Sequence, residues 1–273
     1  MIFTVLGASG FIGSQLTAAL ESEGGSVYAP SLRRGGVDIS DEVLERELGH
    51  VFYCIGLTAN FRNRPFDTVE AHVCLLRRIL EKARFESLTF LSSTRVYEGC
   101  AATHESAVLQ VSPANPGHLY NLSKLMGESL CLSSGRKAKV VRLSNVFGAG
   151  GRQDNFMTQV MKEAADTGMV KFLTAPESSK DYVSVQDVVR WLPQIALHGA
   201  HFIYNVASGN NTSNADIASL LERKGVAASF AAGAPEWSFP VIDTSRLVQE
   251  FGCAQSGLSS EFDYLFSCYT QPE

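Results

Sequence analysis

The feature that most narrows what this chain can fold into is a glycine turn close to its N-terminus. Gly7-Ala8-Ser9-Gly10-Phe11-Ile12-Gly13 follows an apolar run, Ile2-Phe3-Thr4-Val5-Leu6, and leads into a helical pattern through Leu16, Ala19 and Leu20. Strand, glycine turn and helix in that order make a cradle for phosphate. The first glycine permits the tight turn, the second lets a pyrophosphate approach the backbone, and the third lets the helix pack closely on the strand. The helix N-terminus adds free N–H groups and a partial positive charge. Gly7, Ser9, Gly10, Phe11, Ile12 and Gly13 are therefore candidate ligands of a dinucleotide.

The chain beyond the turn has the pattern of a sheet built around it. A short strand is expected from Ser26 to Pro30. Val51-Phe52-Tyr53-Cys54-Ile55-Gly56, Leu88-Thr89-Phe90-Leu91 and Val140-Val141-Arg142-Leu143 are continuous apolar runs of the buried-strand type. Between them, Phe66 to Phe85 reads as a long helix with Val69, Val73, Leu76, Leu80 and Ala83 on one face, and Tyr120 to Cys131 as another. Alternating strands and helices predict an α/β, Rossmann-type doubly wound parallel sheet covered on both faces. The alternation loosens near residue 150. This predicts a dinucleotide-binding domain over 1–150 and, over 151–273, a small substrate-binding lobe interleaved with the sheet's last strands and helices.

Composition removes other classes. With 45% hydrophobic and 19% charged residues among 273, the chain is too apolar to be disordered, and its apolar runs are too short to span a bilayer. Six scattered cysteines with no Cys-x-x-Cys pair suit reduced thiols. His104, His118, His198 and His201 show no metal spacing, so no metal site is expected. A net charge of −5 and a pI near 5.7 argue against a nucleic-acid surface. No signal-peptide pattern opens the chain, which points to a cytoplasmic protein without a membrane partner.

The second strand of such a sheet usually ends in an acid that binds the adenosine ribose of NAD. Here the stretch reads Tyr28-Ala29-Pro30-Ser31-Leu32-Arg33-Arg34. Arg33 and Arg34 suit the 2′-phosphate of NADP, since guanidinium binds phosphate bidentately; the other reading is a solvated turn. NADP(H) is favoured, with NAD(H) as the second option.

Tyr120 and Lys124 stand four residues apart on one helix face, where the ammonium favours the phenolate for proton exchange with a carbonyl. Upstream, Ser92-Ser93-Thr94-Arg95-Val96-Tyr97 places hydroxyls at the C-terminal end of a buried strand, the ligand end of an open α/β sheet. With Arg142-Leu143-Ser144-Asn145-Val146-Phe147-Gly148, Lys180-Asp181-Tyr182-Val183 and Tyr204-Asn205-Val206-Ala207-Ser208-Gly209, these motifs resemble the extended short-chain dehydrogenase/reductase family, in its NAD(P)-dependent sugar epimerase/dehydratase branch. The resemblance implies that Tyr120 handles the proton, Lys124 supports it and Ser93 orients the reacting oxygen. It puts Asp38 and Ile39 beside adenine, and Cys54, Ile55, Gly56 and Leu143 on the cofactor. Thr94, Asn145, Asn155 and Lys180 fall on a nucleotide-sugar substrate. A homodimer is a further family expectation.

Two departures narrow the chemistry. The family's 4,6-dehydratases carry Asp-Glu after the catalytic hydroxyl, where this chain has Thr94-Arg95, so water elimination lacks its acid and base. His72 stands where the family pattern has asparagine; a structural hydrogen bond and simple packing are both open. Trp237 reads as packing, and the Arg62-x-Arg64 pair as a solvated loop, with contact to a substrate phosphate as its other reading. The resulting expectation is an NADPH-dependent 4-ketoreductase of a nucleotide-activated deoxysugar. Alternatives are a nucleotide-sugar epimerase without net redox, a reductase of non-sugar carbonyls, and a non-catalytic NADP-binding sensor.

Overall fold

The computed structural model describes residues 1–32, 38–57, 61–150, 155–252 and 256–270. Six strands form one parallel sheet: β1 (Ile2–Leu6), β2 (Ser26–Tyr28), β3 (His50–Tyr53), β4 (Ser87–Ser93), β5 (Ala138–Leu143) and β9 (Ile203–Val206), in the order β2-β1-β3-β4-β5-β9. Side chains alternate between its faces with the period of two that a strand imposes. Val5, Phe52, Leu91 and Val141 enter one buried cluster with α1 (Phe11–Ser22) and α7 (Val185–His198). Their neighbours Leu6, Tyr53, Phe90 and Val140 enter another on the opposite face, with α2 (Asp41–Glu45), α4 (Leu75–Lys82) and α5 (His118–Ser133). Continuous apolar runs are what two covered faces require.

The long helix expected from Phe66 to Phe85 is interrupted. α3 (Pro65–Val69) runs into a π-helical turn, Glu70–Cys74, before α4 begins. The inserted residue rotates the apolar face by roughly 100°, one residue's turn of a helix. Phe66 is consequently exposed and Val69 lies at the surface, whereas Ala71, His72, Leu75, Leu76, Ile79 and Leu80 are buried. The expected face of Val69 and Val73 is thus corrected.

Past residue 150 the chain leaves the main sheet and returns to it, because β9 pairs with β5. The excursion builds two small sheets. β8 (Ser179–Ser184) pairs with β6 (Asn145–Phe147) and β10 (Asn211–Ser213), and β7 (Met169–Phe172) pairs with β11 (Ala227–Phe230). With α6 (Phe156–Thr167), α8 (Asn214–Glu222) and α10 (Leu258–Thr270) these enclose a core of their own around Met161, Phe172 and Phe262. α9 (Ser245–Phe251) packs on β9. No helix among the described residues is long and apolar enough to cross a membrane.

Candidate active site

Strand order reverses about β1, with β2 on one side and β3 on the other, and a crevice opens there beyond the strands' C-terminal ends. The glycine turn sits at this point and needs its glycines. Gly7 has φ +90°, a conformation that suits a residue without Cβ, and a Cβ on Gly13 would lie 2.2 Å from the Gly7 carbonyl oxygen. No side chain caps α1 and no acid occupies its first turn, so its N-terminus is open to an anion. Gly10, Phe11 and Ile12 face a cavity of about 420 Å³, together with Cys54, Ile55, Gly56 and Leu143. A dinucleotide fits this cradle. Gly7, Ser9 and Gly13 shape the turn without lining the cavity.

The Ser–Tyr–Lys set faces the same cavity. β4 ends at Ser93, whose hydroxyl is hydrogen bonded to the Tyr120 phenol and accepts the Arg95 amide at 3.2 Å. Tyr120 lies in the first turn of α5, 5% exposed, and Lys124 one turn later, 4% exposed. Lys124 Nζ donates to the Leu91 carbonyl at 2.8 Å and lies 5.9 Å from the Tyr120 ring centre. Burial raises the Tyr120 pKa, only partly opposed by the Ser93 hydrogen bond and the Arg95 charge. The resting side chain is therefore a neutral phenol rather than the phenolate expected from Lys124 alone. Burial also pushes Lys124 down to about 7, against the pull of Glu128.

His72 does more than pack. It is fully buried; its Nε2 accepts the Leu57 amide at 3.2 Å, and its Nδ1 lies 2.8 Å from Ser123 Oγ. Ser123 Oγ donates in turn to the Tyr120 carbonyl at 2.8 Å, so the proton is on Nδ1. Burial and the Lys124 charge drive its pKa down to about 2, which keeps the ring neutral. The imidazole ties the end of β3 to the helix carrying Tyr120. Below it, Glu128 accepts from Ser92 at 2.5 Å and pairs with Arg142 at 2.6 Å, both side chains being 4% exposed.

Thr94, Asn145, Asn155 and Lys180 also line the cavity. Asn145 gives its amide N–H to the Asp181 carbonyl at 2.8 Å. Asn155 is the N-cap of α6: Oδ1 accepts from the Met157 amide and Nδ2 donates to the Val146 carbonyl, so its primary task is structural. Lys180 lies 4.9 Å from the Phe156 ring centre, its pKa lowered by burial and by Arg95. Asp38 and Ile39 do not reach the cavity. Asp38 pairs with Arg78 at 2.7 Å, and Ile39 is buried under α4. Arg33 and Arg34 lie outside the described residues.

Sequence reasoning missed Arg95, Trp237, Phe239, Pro240 and Ile242, all of which line the cavity. Arg95 lies within the Ser-Ser-Thr-Arg-Val-Tyr motif, where its position suggested only a lost carboxylate. Trp237, expected to pack, is 43% exposed on the cavity wall. Its segment carries no local signal, because only the folding of the second part brings it there.

A doubly wound sheet with a glycine turn at its switch point and a buried Ser–Tyr–Lys set defines a Rossmann-type dinucleotide-binding enzyme fold. Sequence comparison is more specific: the chain belongs to the NAD dependent epimerase/dehydratase family, which matches residues 3–207. Several solved structures share the fold over nearly all of both chains. One is TunA, described as an NAD-dependent NDP-hexosamine 5,6-dehydratase of tunicamycin biosynthesis, with 21% identity, TM-score 0.83, and coverage of 100% of this chain and 98% of that one. Another is MoeE5 with UDP-glucose and NAD, with 23% identity, TM-score 0.81, and coverage of 98% and 97%. A third is RMD from Pseudomonas aeruginosa with NADPH, with 21% identity, TM-score 0.79, and coverage of 99% and 100%. No curated protein matches the chain by sequence.

Proposed function

We propose that the chain reduces the 4-keto group of a nucleotide-activated sugar, deoxygenated or not, with NADPH as reductant. The observation that carries this reading is one cavity shared by the open end of α1 and the Ser93, Tyr120 and Lys124 side chains. The dinucleotide, when bound, supplies the hydride. Ser93 orients the carbonyl oxygen, the neutral Tyr120 phenol donates the proton that the new alkoxide needs, and Lys124 steadies the phenolate left behind. A protonated tyrosine is the starting state for reduction; oxidation of an alcohol begins from the phenolate.

Several further observations support the reading. Thr94 and Arg95 leave no carboxylate beside Ser93 to drive dehydration. The absence of an acid from Tyr28 to Arg34 supports NADPH over NADH. Among structural neighbours, MoeE5 was solved with UDP-glucose and RMD with NADPH, which supports a nucleotide-sugar substrate and either form of the cofactor. The small lobe after residue 150 is the proposed substrate-binding side.

The test is incubation with NADPH or NADH and a panel of 4-keto nucleotide-sugars, following absorbance loss and product configuration. Net oxidation of NADPH is expected. Conversion of a 4-hydroxy nucleotide-sugar to its epimer without added reductant would instead establish the epimerase reading, and equal use of NADH would remove the cofactor preference.

A further inference from the structure

Two buried arginines of this chain are provided for very differently. Arg142 is saturated: Nε and Nη2 donate to the Glu128 carboxylate, and Nη1 donates to the Tyr97 hydroxyl at 2.7 Å. Arg95 is not. Its Nε is buried with no hydrogen-bond partner among the described residues, although the guanidinium lies in the cavity wall and its side chain is only 23% exposed. Among the described residues its one carboxylate neighbour, Glu98, stands 3.6 Å away and is itself 31% exposed, a contact of the weak, solvent-screened kind. A guanidinium desolvated this far without matching acceptors is unfavourable unless an anion completes it.

Its surroundings point the same way. The Arg95 guanidinium lies 5.4 Å from the Phe61 ring centre and 6.0 Å from that of Tyr120. Arg62 shares the Phe61 ring at 4.6 Å, and the Nη2 atoms of both arginines come within 3.6 Å of one point above Gly117. Lys180, lining the same cavity, feels the Arg95 charge as repulsion. Asp181, the carboxylate in that lining, is turned to the backbone N–H groups of Ser208 and Asn210. Arg95 and Lys180 thus face the cavity, Arg62 stands beside Arg95 over Phe61, and Glu98 is the near counter-charge among the described residues.

We propose that Arg95, with Arg62 behind it, binds a carboxylate on the sugar carbon adjacent to the reacting carbonyl, so that the substrate is a nucleotide-activated uronate. The proposal rests on the nucleotide-sugar reading above and narrows it to an acidic sugar, oxidised rather than deoxygenated at carbon 6. The diphosphate does not satisfy Arg95. In a hexopyranose it is attached at carbon 1, across the ring from carbon 4, whereas carbon 6 branches from the neighbour of carbon 4. A group that flanks Tyr120 and follows Ser93 by two residues meets the substituent next to the reaction. Guanidinium is the group suited to grip a planar carboxylate through two parallel hydrogen bonds.

The experiment is calorimetric binding of matched pairs, a neutral hexose and its uronate, each on uridine, thymidine and guanosine diphosphate. Wild type, Arg95→Gln and Arg95→Lys are compared. The readout is the ratio of the two Kd values on the tightest-binding nucleotide. Wild type is expected to prefer the uronate by about 10- to 100-fold, the usual worth of a charge-assisted pair. The ratio should fall to near 1 in Arg95→Gln and be partly retained in Arg95→Lys. Equal wild-type affinity for hexose and uronate overturns the proposal while leaving the nucleotide-sugar reading intact, and so does a preference that survives Arg95→Gln. If no member of the panel binds wild type, the nucleotide-sugar reading falls and the proposal falls with it.

Discussion

On the cavity wall built by β3, β4 and α5, the reacting groups are held by the fold itself. Ser93, Tyr120, Lys124 and His72 each have a partner in the backbone or in one another. On the wall contributed after residue 150, Trp237 is 43% exposed and Lys180 rests on an aromatic ring without an ion pair among the described contacts. The first wall is preorganised for a fixed piece of chemistry, which demands placement of reacting groups before substrate arrives. The second presents apolar faces and unengaged charge, the surface a binding site uses to choose its ligand. The two walls thus differ in kind: one holds placed reacting groups, the other offers open surface, and Arg95 brings an unmatched charge to the first.

The largest effect should come from the preorganised wall. Tyr120→Phe removes the proton donor and is expected to lower kcat by about 10²- to 10⁴-fold with little change in thermal stability; near-normal turnover would place the proton donor elsewhere. Next comes Glu128→Ala. It strands Arg142 as a buried, unpaired charge and should cost about 3–5 kcal/mol in urea unfolding, a penalty that an exposed pair would not show.

Lys124 links the two kinds of effect through pH. Its pKa in the folded protein is near 7, against 10.5 for the free side chain, so between those values the unfolded chain binds more protons. Stability should therefore rise with pH across that window, while reduction slows as the ammonium loses its charge above about 7. Lys124→Arg should flatten both dependences; parallel rather than opposed slopes in the wild type would show that another group titrates.

On the second wall the expected changes are smaller. Trp237→Ala should raise KM for the sugar substrate several-fold and leave kcat within about twofold, since a remote contact acts on binding in ground and transition states alike. Asn155→Ala should cost about 1 kcal/mol of stability through loss of the α6 cap. An unchanged melting temperature would return Asn155 to a purely substrate-facing role.

Much of the first wall was legible because its signals are local. The glycine spacing announces the turn, the apolar runs announce buried strands, and Tyr120 and Lys124 fall on one face by helix period alone. Reading failed where the signal depends on phase or on distant packing. The π turn at Glu70–Cys74 shifted the buried face of a helix whose composition looked regular. Trp237 was expected to pack, but the fold of the second part sets it on the cavity wall.

By itself the sequence determined the strand–turn–helix cradle, the alternation that makes a parallel sheet, and the presence of the Ser–Tyr–Lys set, because each follows from backbone geometry over a few neighbouring residues. Tertiary structure alone decided that Tyr120 is a buried neutral phenol and that His72 bridges β3 to α5. It also decided that Trp237 forms a cavity wall and that Arg95 stands there without a matching anion. Desolvation and hydrogen-bond satisfaction depend on which chain segments close around a group, and no spacing along the chain encodes that.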